Sequence, residues 1–248
     1  MNRLFSILTQ MPPFSGSDYF CYKGFHAMIL LGLCDYRYRF IVVDFGAKGR
    51  ASDGGVFAHS KLGRMLKANQ LDIPPPQFVP NGPLLPYFLL GDEAFGLSEY
   101  MMTPYPGRSL GMLTYSQRIF NYRQSRGRRI IENVFGMFVA TWRIFKTEID
   151  AQVELIEQLV MSAACLHNFR LIMNDERSNQ YTPRHFFDHE VNGVNIPGTW
   201  RDEDVELCQI ASQHGRHSSA KAVQFRNELA DFFLTSGAVP WQHSQIDK

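Results

Sequence analysis

Two neighbouring stretches, YKGFHAMILLGLCD and YRYRFIVVDFG, are dense in β-branched and aromatic residues and meet at a polar break over residues 35–37. That composition suits strands and that break suits a tight turn, so residues 22–45 read as an antiparallel hairpin. Further along, Ile130, Ile131, Val134, Phe138 and Trp142 recur at spacings of three and four, which predicts a long helix over 115–145. Val153, Ile156, Val160, Ala164 and Leu166 repeat the pattern over 151–173, a second helix. Between hairpin and helices, GAKGRASDGG is a glycine-rich turn, with Asp53 as N-cap of a helix over 56–67. A proline-rich loop then leads into PYFLLGDEAF, a short buried strand ending in two carboxylates. Residues 174–204 turn polar and read as a surface loop, followed by one more helix over 218–234. The order hairpin, helix, strand, long helix, helix predicts an α/β layer with mixed strand pairing.

Composition excludes several classes of function. Formal net charge is +1 from 25 basic and 24 acidic side chains, so only local clustering can give an electrostatic role. The longest apolar runs fall far short of the roughly 20 residues that span a bilayer, and residues 1–13 lack the apolar core and cleavage site of a signal peptide. No membrane association or secretion is expected, which leaves a nuclear or cytoplasmic protein. Four cysteines stand far apart, against both a disulfide scaffold and a thiolate zinc site. His185 and His189 are four apart, but HFFDHE is not the HExxH arrangement of zinc proteases.

Two acids stand out by context. Asp92 closes an apolar strand, where a carboxylate projects into the crevice above a sheet. Glu132 lies in RRIIENVFG with apolar neighbours, so its face need not be the solvent face. Phosphodiester hydrolysis commonly uses two divalent ions roughly 3.5–4 Å apart, held by carboxylates from separate elements. Hard ions such as Mg2+ take oxygen ligands of this kind. On spacing alone, two ordinary surface carboxylates fit the same pattern. Just ahead of Glu132, Arg118, Arg123, Arg126, Arg128 and Arg129 follow one another without an acid, interleaved with Tyr122 and Phe120. Such a run suits phosphate contacts, and equally suits a solvated helix face on which Arg128 pairs with Glu132 at i, i+4.

The blocks SGSDYFCYKGFH, VVDFGAKGRASDGGVFAHS, LLGDEAFGLSEYMMTPYP, RIFNYRQSRGRRIIENVFGMFVATWRIF and ACLHNF, in this order, resemble the Harbinger-type (PIF/Harbinger) transposases and their domesticated nuclease relatives. The resemblance runs from about residue 12 to 174. It implies a ribonuclease H-like fold, a mixed sheet flanked by helices, and a DDE superfamily endonuclease with Mg2+ or Mn2+ as cofactor and DNA as substrate. It also implies metal-binding roles for Asp92 and Glu132, and it makes Asp53 a site residue second to its capping role. By the same analogy a Myb-like helper protein is a possible partner.

One departure stands at the start. The resemblance expects a first acid in a DG-[KT]-H strand near position 3, and the chain carries MNRLFSILTQ there. Residues 1–13 therefore read as a divergent segment and 14–175 as the nuclease domain, its first strand and that strand's acid missing, as if truncated. Residues 176–248 read as a polar loop and C-terminal helix. The loss leaves a sheet edge, either bare or covered by residues 1–9 as a makeshift strand. Two functions follow: a metal-dependent DNA endonuclease, catalytically incomplete for want of one ligand, or a non-catalytic remnant that binds DNA or protein.

Overall fold

The computed structural model describes residues 2–21, 24–107, 113–176, 184–186, 188–191, 194–202 and 218–246. Its main sheet has three antiparallel strands, β1 (Asn2–Leu8), β2 (Ala27–Cys34) and β3 (Phe40–Lys48), in that spatial order. β2 and β3 are the hairpin expected from the sequence. Asp35 fixes its turn: Oδ1 accepts from the amides of Arg37 and Arg39, and Oδ2 accepts from Arg39 Nε. β2 is AMILLGLC, buried at all eight positions, because helices cover one face of the sheet and a second layer covers the other. At the edge left open by the sequence reading, residues 2–8 form β1, paired with β2 along its whole length. Beyond β1, Ile149 exchanges backbone hydrogen bonds with Leu8 and Gln10 and closes part of that edge.

The second layer starts with α1 (Asp53–His59) and α2 (Lys61–Lys67), where one continuous helix is expected. Ser60 makes the break: its backbone is extended and its hydroxyl accepts from the Gly63 amide, capping α2. Gly63 is needed there, since a Cβ would lie 2.0 Å from the Phe57 carbonyl oxygen. The cap of α1 is likewise Ser52, whose hydroxyl accepts from the Gly55 amide, and not Asp53, which is the first residue of the helix. A small antiparallel pair follows, β4 (Gln77–Phe78) and β5 (Leu84–Leu85).

The strand expected over 86–95 is only two residues long. β6 (Leu89–Leu90) pairs in parallel with β7 (Met101–Met102), outside the three-stranded sheet, so the strand leading to Asp92 is not the centre of a mixed sheet. Pro86 limits it on one side, and on the other the chain turns back as Asp92 Oδ1 accepts from the Ala94 amide. The fold is α/β, with small sheets and helices.

α3 (Tyr115–Thr141) and α4 (Val153–Glu176) cover the other face of the sheet. α3 begins at a reciprocal capping box between Thr114 and Gln117. Phe5, Ile7, Met28 and Leu30 meet Ile131, Phe135 and Phe138 there, while Leu4, Ile29 and Leu31 face the α1–α2 layer. Each fully buried side chain of this size contributes about 1.5–3 kcal/mol. α4 grips the start of β3: Asn168 accepts from the Phe40 amide and donates to the Phe40 carbonyl, and His167 Nε2 meets the Tyr38 carbonyl.

The stretch expected as a surface loop carries local structure in its described parts. β8 (His189–Val191) and β9 (Val194–Ile196) form a hairpin, and Trp200 packs on α3 with its indole N–H donating to Asn133 Oδ1. Cys208 and the rest of that stretch lie outside the described residues. α5 (Ala220–Leu234), the expected C-terminal helix, buries Ala222, Leu229 and Ala230 in a third apolar cluster with Phe120 of α3, and α6 (Gln242–Ile246) follows.

Candidate functional site

Two of the stretches expected to carry the site, the GDEAF turn and the segment around Glu132, meet at the middle of α3. Gln124, Arg128 and Glu132 are spaced by four and so share one stripe of the helix. At the top of the stripe Gln124, only 4% exposed, donates through Nε2 to the Gly91 carbonyl and fastens the GDEAF turn to the helix. Gly91 lets that turn sit close, because a Cβ there would lie 2.7 Å from the Met101 sulfur. One turn further, Arg128 is shared: Nη1 stands 3.6 Å from Asp92 Oδ2 and Nη2 stands 3.7 Å from Glu132 Oε1. Asp92 and Glu132 therefore face the same guanidinium, which places them in one centre.

A third residue completes it. In β1 the register sets Arg3 opposite Gly32, on the same face as Phe5, whose ring stacks on Phe135 of α3 at 5.3 Å. That face brings the Arg3 guanidinium against Glu132 Oε1 as an ion pair. The Arg3 side chain is 7% exposed, against 21–24% for Glu132, Arg128 and Asp92. Gly32 leaves the space that the approach of α3 requires, since a Cβ on it would lie 2.7 Å from the Phe135 ring. Arg3 lies near the place where the resemblance leads one to expect the first acid.

The implied divalent ions do not fit this arrangement. Among the described residues of the centre, two carboxylates carry a formal charge of −2 and Arg3 and Arg128 supply +2, which balance before any ion arrives. Guanidinium stays protonated at every pH a folded protein meets, and so cannot withdraw its charge to admit a cation. Among the described residues no three His, Cys, Asp or Glu side chains cluster as a metal site would need. The side chain of Asp53 lies outside the described residues. Its neighbour Gly54 packs against the Ala94 carbonyl, at 3.4 Å from an added Cβ, so α1 begins beside the GDEAF turn.

The five arginines do not share a face. Arg128 belongs to the acid centre, and Arg118 lies over the Tyr115 ring. Arg123 donates to Gly237 O and Gln242 Oε1 near the C-terminus and lies over Phe233. Arg126 donates to the Tyr122 hydroxyl and stacks on Trp241. Together with Arg129 these two line a cavity on another face of α3. His189 is at the same cavity and His185 is exposed on the preceding turn. Sequence reading missed Arg3 and Gln124. Gln124 carried a faint signal, a polar residue four before Arg128 and eight before Glu132 on a helix otherwise rich in apolar positions.

The family model of the DDE superfamily endonucleases matches residues 5–168, a range that holds Asp53, Asp92 and Glu132 and starts two positions after Arg3. No curated protein and no solved structure matches the chain. With about two thirds of its 248 residues under that one family model, the chain belongs to the DDE superfamily of endonucleases.

Proposed function

We propose that this chain is a Harbinger-type, transposase-derived domain that binds DNA through its phosphates and does not cleave it by a metal-dependent route. The DDE superfamily generally uses divalent metals and acts on DNA. The observation that carries the reading is the ion pair between Arg3 and Glu132. It puts a permanent cation on one of the two acids that a nuclease would need for an ion, near the place where the missing first acid is expected. Two-ion catalysis needs carboxylates that clamp both the attacking and the leaving oxygen, and here both acids already answer to arginines. DNA remains the ligand because Arg123, Arg126 and Arg129, which line one face of α3, supply charge with aromatic neighbours and little provision for reading base sequence.

The test is cleavage and binding measured side by side. Supercoiled plasmid with Mn2+ should be nicked at most in traces, because Mn2+ tolerates imperfect oxygen sites and still finds two arginines in place. Duplex binding should persist, weakening with salt at a slope of about −0.9 per phosphate contact, and Arg126→Ala with Arg129→Ala should flatten that slope. Arg3→Asp should raise Mn2+ binding, and cleavage with it. Robust Mn2+-dependent cleavage by the unaltered chain, lost on Asp92→Ala, overturns the reading, and absence of duplex binding at low salt removes its DNA half.

One observation favours a second reading, a protein-binding remnant for which a Myb-like helper is the partner by family resemblance. Leu155, Met161, Leu166, Phe169 and Ile172 stand 42–58% exposed along α4. Co-purification with such a helper, abolished by Phe169→Glu, would favour it.

A further inference from the structure

Some way around α3 from the acid centre lies a cavity of about 440 Å3 that neither the carboxylates nor the family's chemistry uses. Four separate elements wall it: α3, the β2–β3 turn, the β8–β9 hairpin and the connection between α5 and α6. Successive residues of a helix are turned by about 100°, so Arg123, Arg126, Arg129 and Asn133 look away from the stripe of Gln124, Arg128 and Glu132.

Its chemistry is uniform in one respect and mixed in another. Three guanidiniums reach it, and the hydrogen bonds of Arg123 go to neutral oxygens, Gly237 O and Gln242 Oε1, which leave its charge uncancelled. Burial, and then the charge of Arg126, lower the Arg123 pKa from its usual value. Among the described lining residues the one acid is Asp188: it accepts from the Gly198 amide at 2.9 Å and from Arg201 Nε at 2.9 Å, forms an ion pair with Arg201, and also faces the charge of Arg129. Against this positive side stand two aromatic side chains, Tyr38 and Trp241, and the amide of Asn195. Gly127 leaves the floor of the cavity without a side chain.

We infer that this cavity binds a nucleoside monophosphate unit, its phosphate on the arginines of α3 and its base against Tyr38 and Trp241. Guanidinium forks match phosphate oxygens, and aromatic faces stack on a base without regard to its identity. The volume falls in the usual range of small-molecule sites, roughly 300–1,000 Å3, and is far too small for a duplex. A free mononucleotide and the unpaired end of a strand carry the same chemistry. The inference shares nucleic acid as ligand with the proposed function but not the mode of binding.

Calorimetric titration of the full chain decides it, with dTMP, thymidine, inorganic phosphate, a single-stranded oligonucleotide bearing a 5′-phosphate, and a blunt duplex. dTMP should bind at least about tenfold more tightly than thymidine or phosphate, since each lacks half of the contacts. Arg126→Ala and Arg129→Ala should each weaken dTMP by about tenfold, and Arg3→Ala should leave it unchanged. Should the arginine variants fail to fold, Asn195→Asp on exposed β9 adds a negative charge without removing a packed side chain, and should weaken dTMP as well. An oligonucleotide that binds more tightly than dTMP identifies a strand end as the source, and equal affinities identify the free nucleotide. No heat of binding at about 5 mM dTMP, phosphate as tight as dTMP, or binding untouched by Asn195→Asp overturns the inference. Loss of dTMP binding with duplex binding intact sinks the cavity alone, and loss of duplex binding with dTMP intact sinks the proposed function alone.

Discussion

Arg3 of the edge strand β1 and Glu132 of the long helix α3 form an ion pair across the top of the main core. The strand end and the helix are thereby tied beside Arg128 and Asp92. Removing either partner leaves a different orphan. Glu132→Gln strands the Arg3 charge, 7% exposed, whereas Arg3→Met removes the buried charge, keeps most of its apolar stem and leaves Glu132 to Arg128. An unpaired buried charge costs about 3–5 kcal/mol, reduced here because Glu132 keeps some contact with water. Glu132→Gln should therefore lower the unfolding free energy by roughly 1–3 kcal/mol, and Arg3→Met by less. In urea melts the double variant should recover much of the loss, and strictly additive effects would show that the pair is not coupled.

Gly136 of α3 is fixed by Trp200. A Cβ on Gly136 would lie 2.1 Å from the indole ring, and the indole N–H is held by Asn133 one turn earlier. Gly136→Ala should destabilise by roughly 1–3 kcal/mol despite alanine's better helix propensity, and Trp200→Leu should relieve most of that cost. If Gly136→Ala melts at or above the temperature of the unaltered chain, Trp200 does not pack there.

The cysteines should separate by reactivity. Burial pushes the Cys34 thiol up to about 12, with the nearby Asp35 charge acting the same way, so thiolate is scarce at neutral pH. Cys21 is buried too, while Cys165 is exposed on α4. Iodoacetamide mapping of the native chain should label Cys165 well before Cys34 and Cys21. Early labelling of Cys34 would mean that β2 opens readily.

How far the sequence reached depends on how local each signal was. The hairpin of β2 and β3, α3, α4 and α5 follow from alternation and period, which a short window contains. The break at Ser60 was missed because Ser52 and Ser60 both act as caps, and a cap hidden between two apolar turns looks like helix interior. The apolar residues before Asp92 suit a longer strand than the two residues that form, because its length is set by Pro86 and by the turn that Asp92 itself closes. Asp92 and Glu132 were picked from their own surroundings and meet at Arg128, a pairing foreseen for Glu132 at i, i+4 but not for Asp92. Arg3 could not be found locally. It pairs with Glu132 only because β1 lies beside β2 and under α3, and no nearby residue announces that contact. The HN of ACLHNF was carried by resemblance alone, and its work in the fold is to hold residues 38–40 against α4.

His167 gives the last expectation, a pH dependence of stability. It is 4% exposed, with Nε2 at 2.9 Å from the Tyr38 carbonyl and its ring against Phe40 and Phe138. Burial lowers its pKa from 6.5 to about 4; the Tyr38 carbonyl works in the opposite direction and the Arg170 charge adds to the lowering. The unfolded chain therefore binds a proton at higher pH than the folded chain does. Between about 6.5 and 4 the unfolded state carries more protons, so stability falls as pH falls through that window and is fully present above it. At 1.36 kcal/mol per unit the full loss is about 3 kcal/mol. Carboxylates also titrate near the bottom of the window, so the informative quantity is the difference from a His167→Gln variant, which keeps a donor for Tyr38 and cannot charge. Urea midpoints of the unaltered chain should drop between pH 7 and 5 while those of His167→Gln stay nearly level. Parallel curves for the two would show that His167 takes up its proton in the folded chain near its ordinary value, and that the grip of α4 on β3 is looser than the buried ring implies.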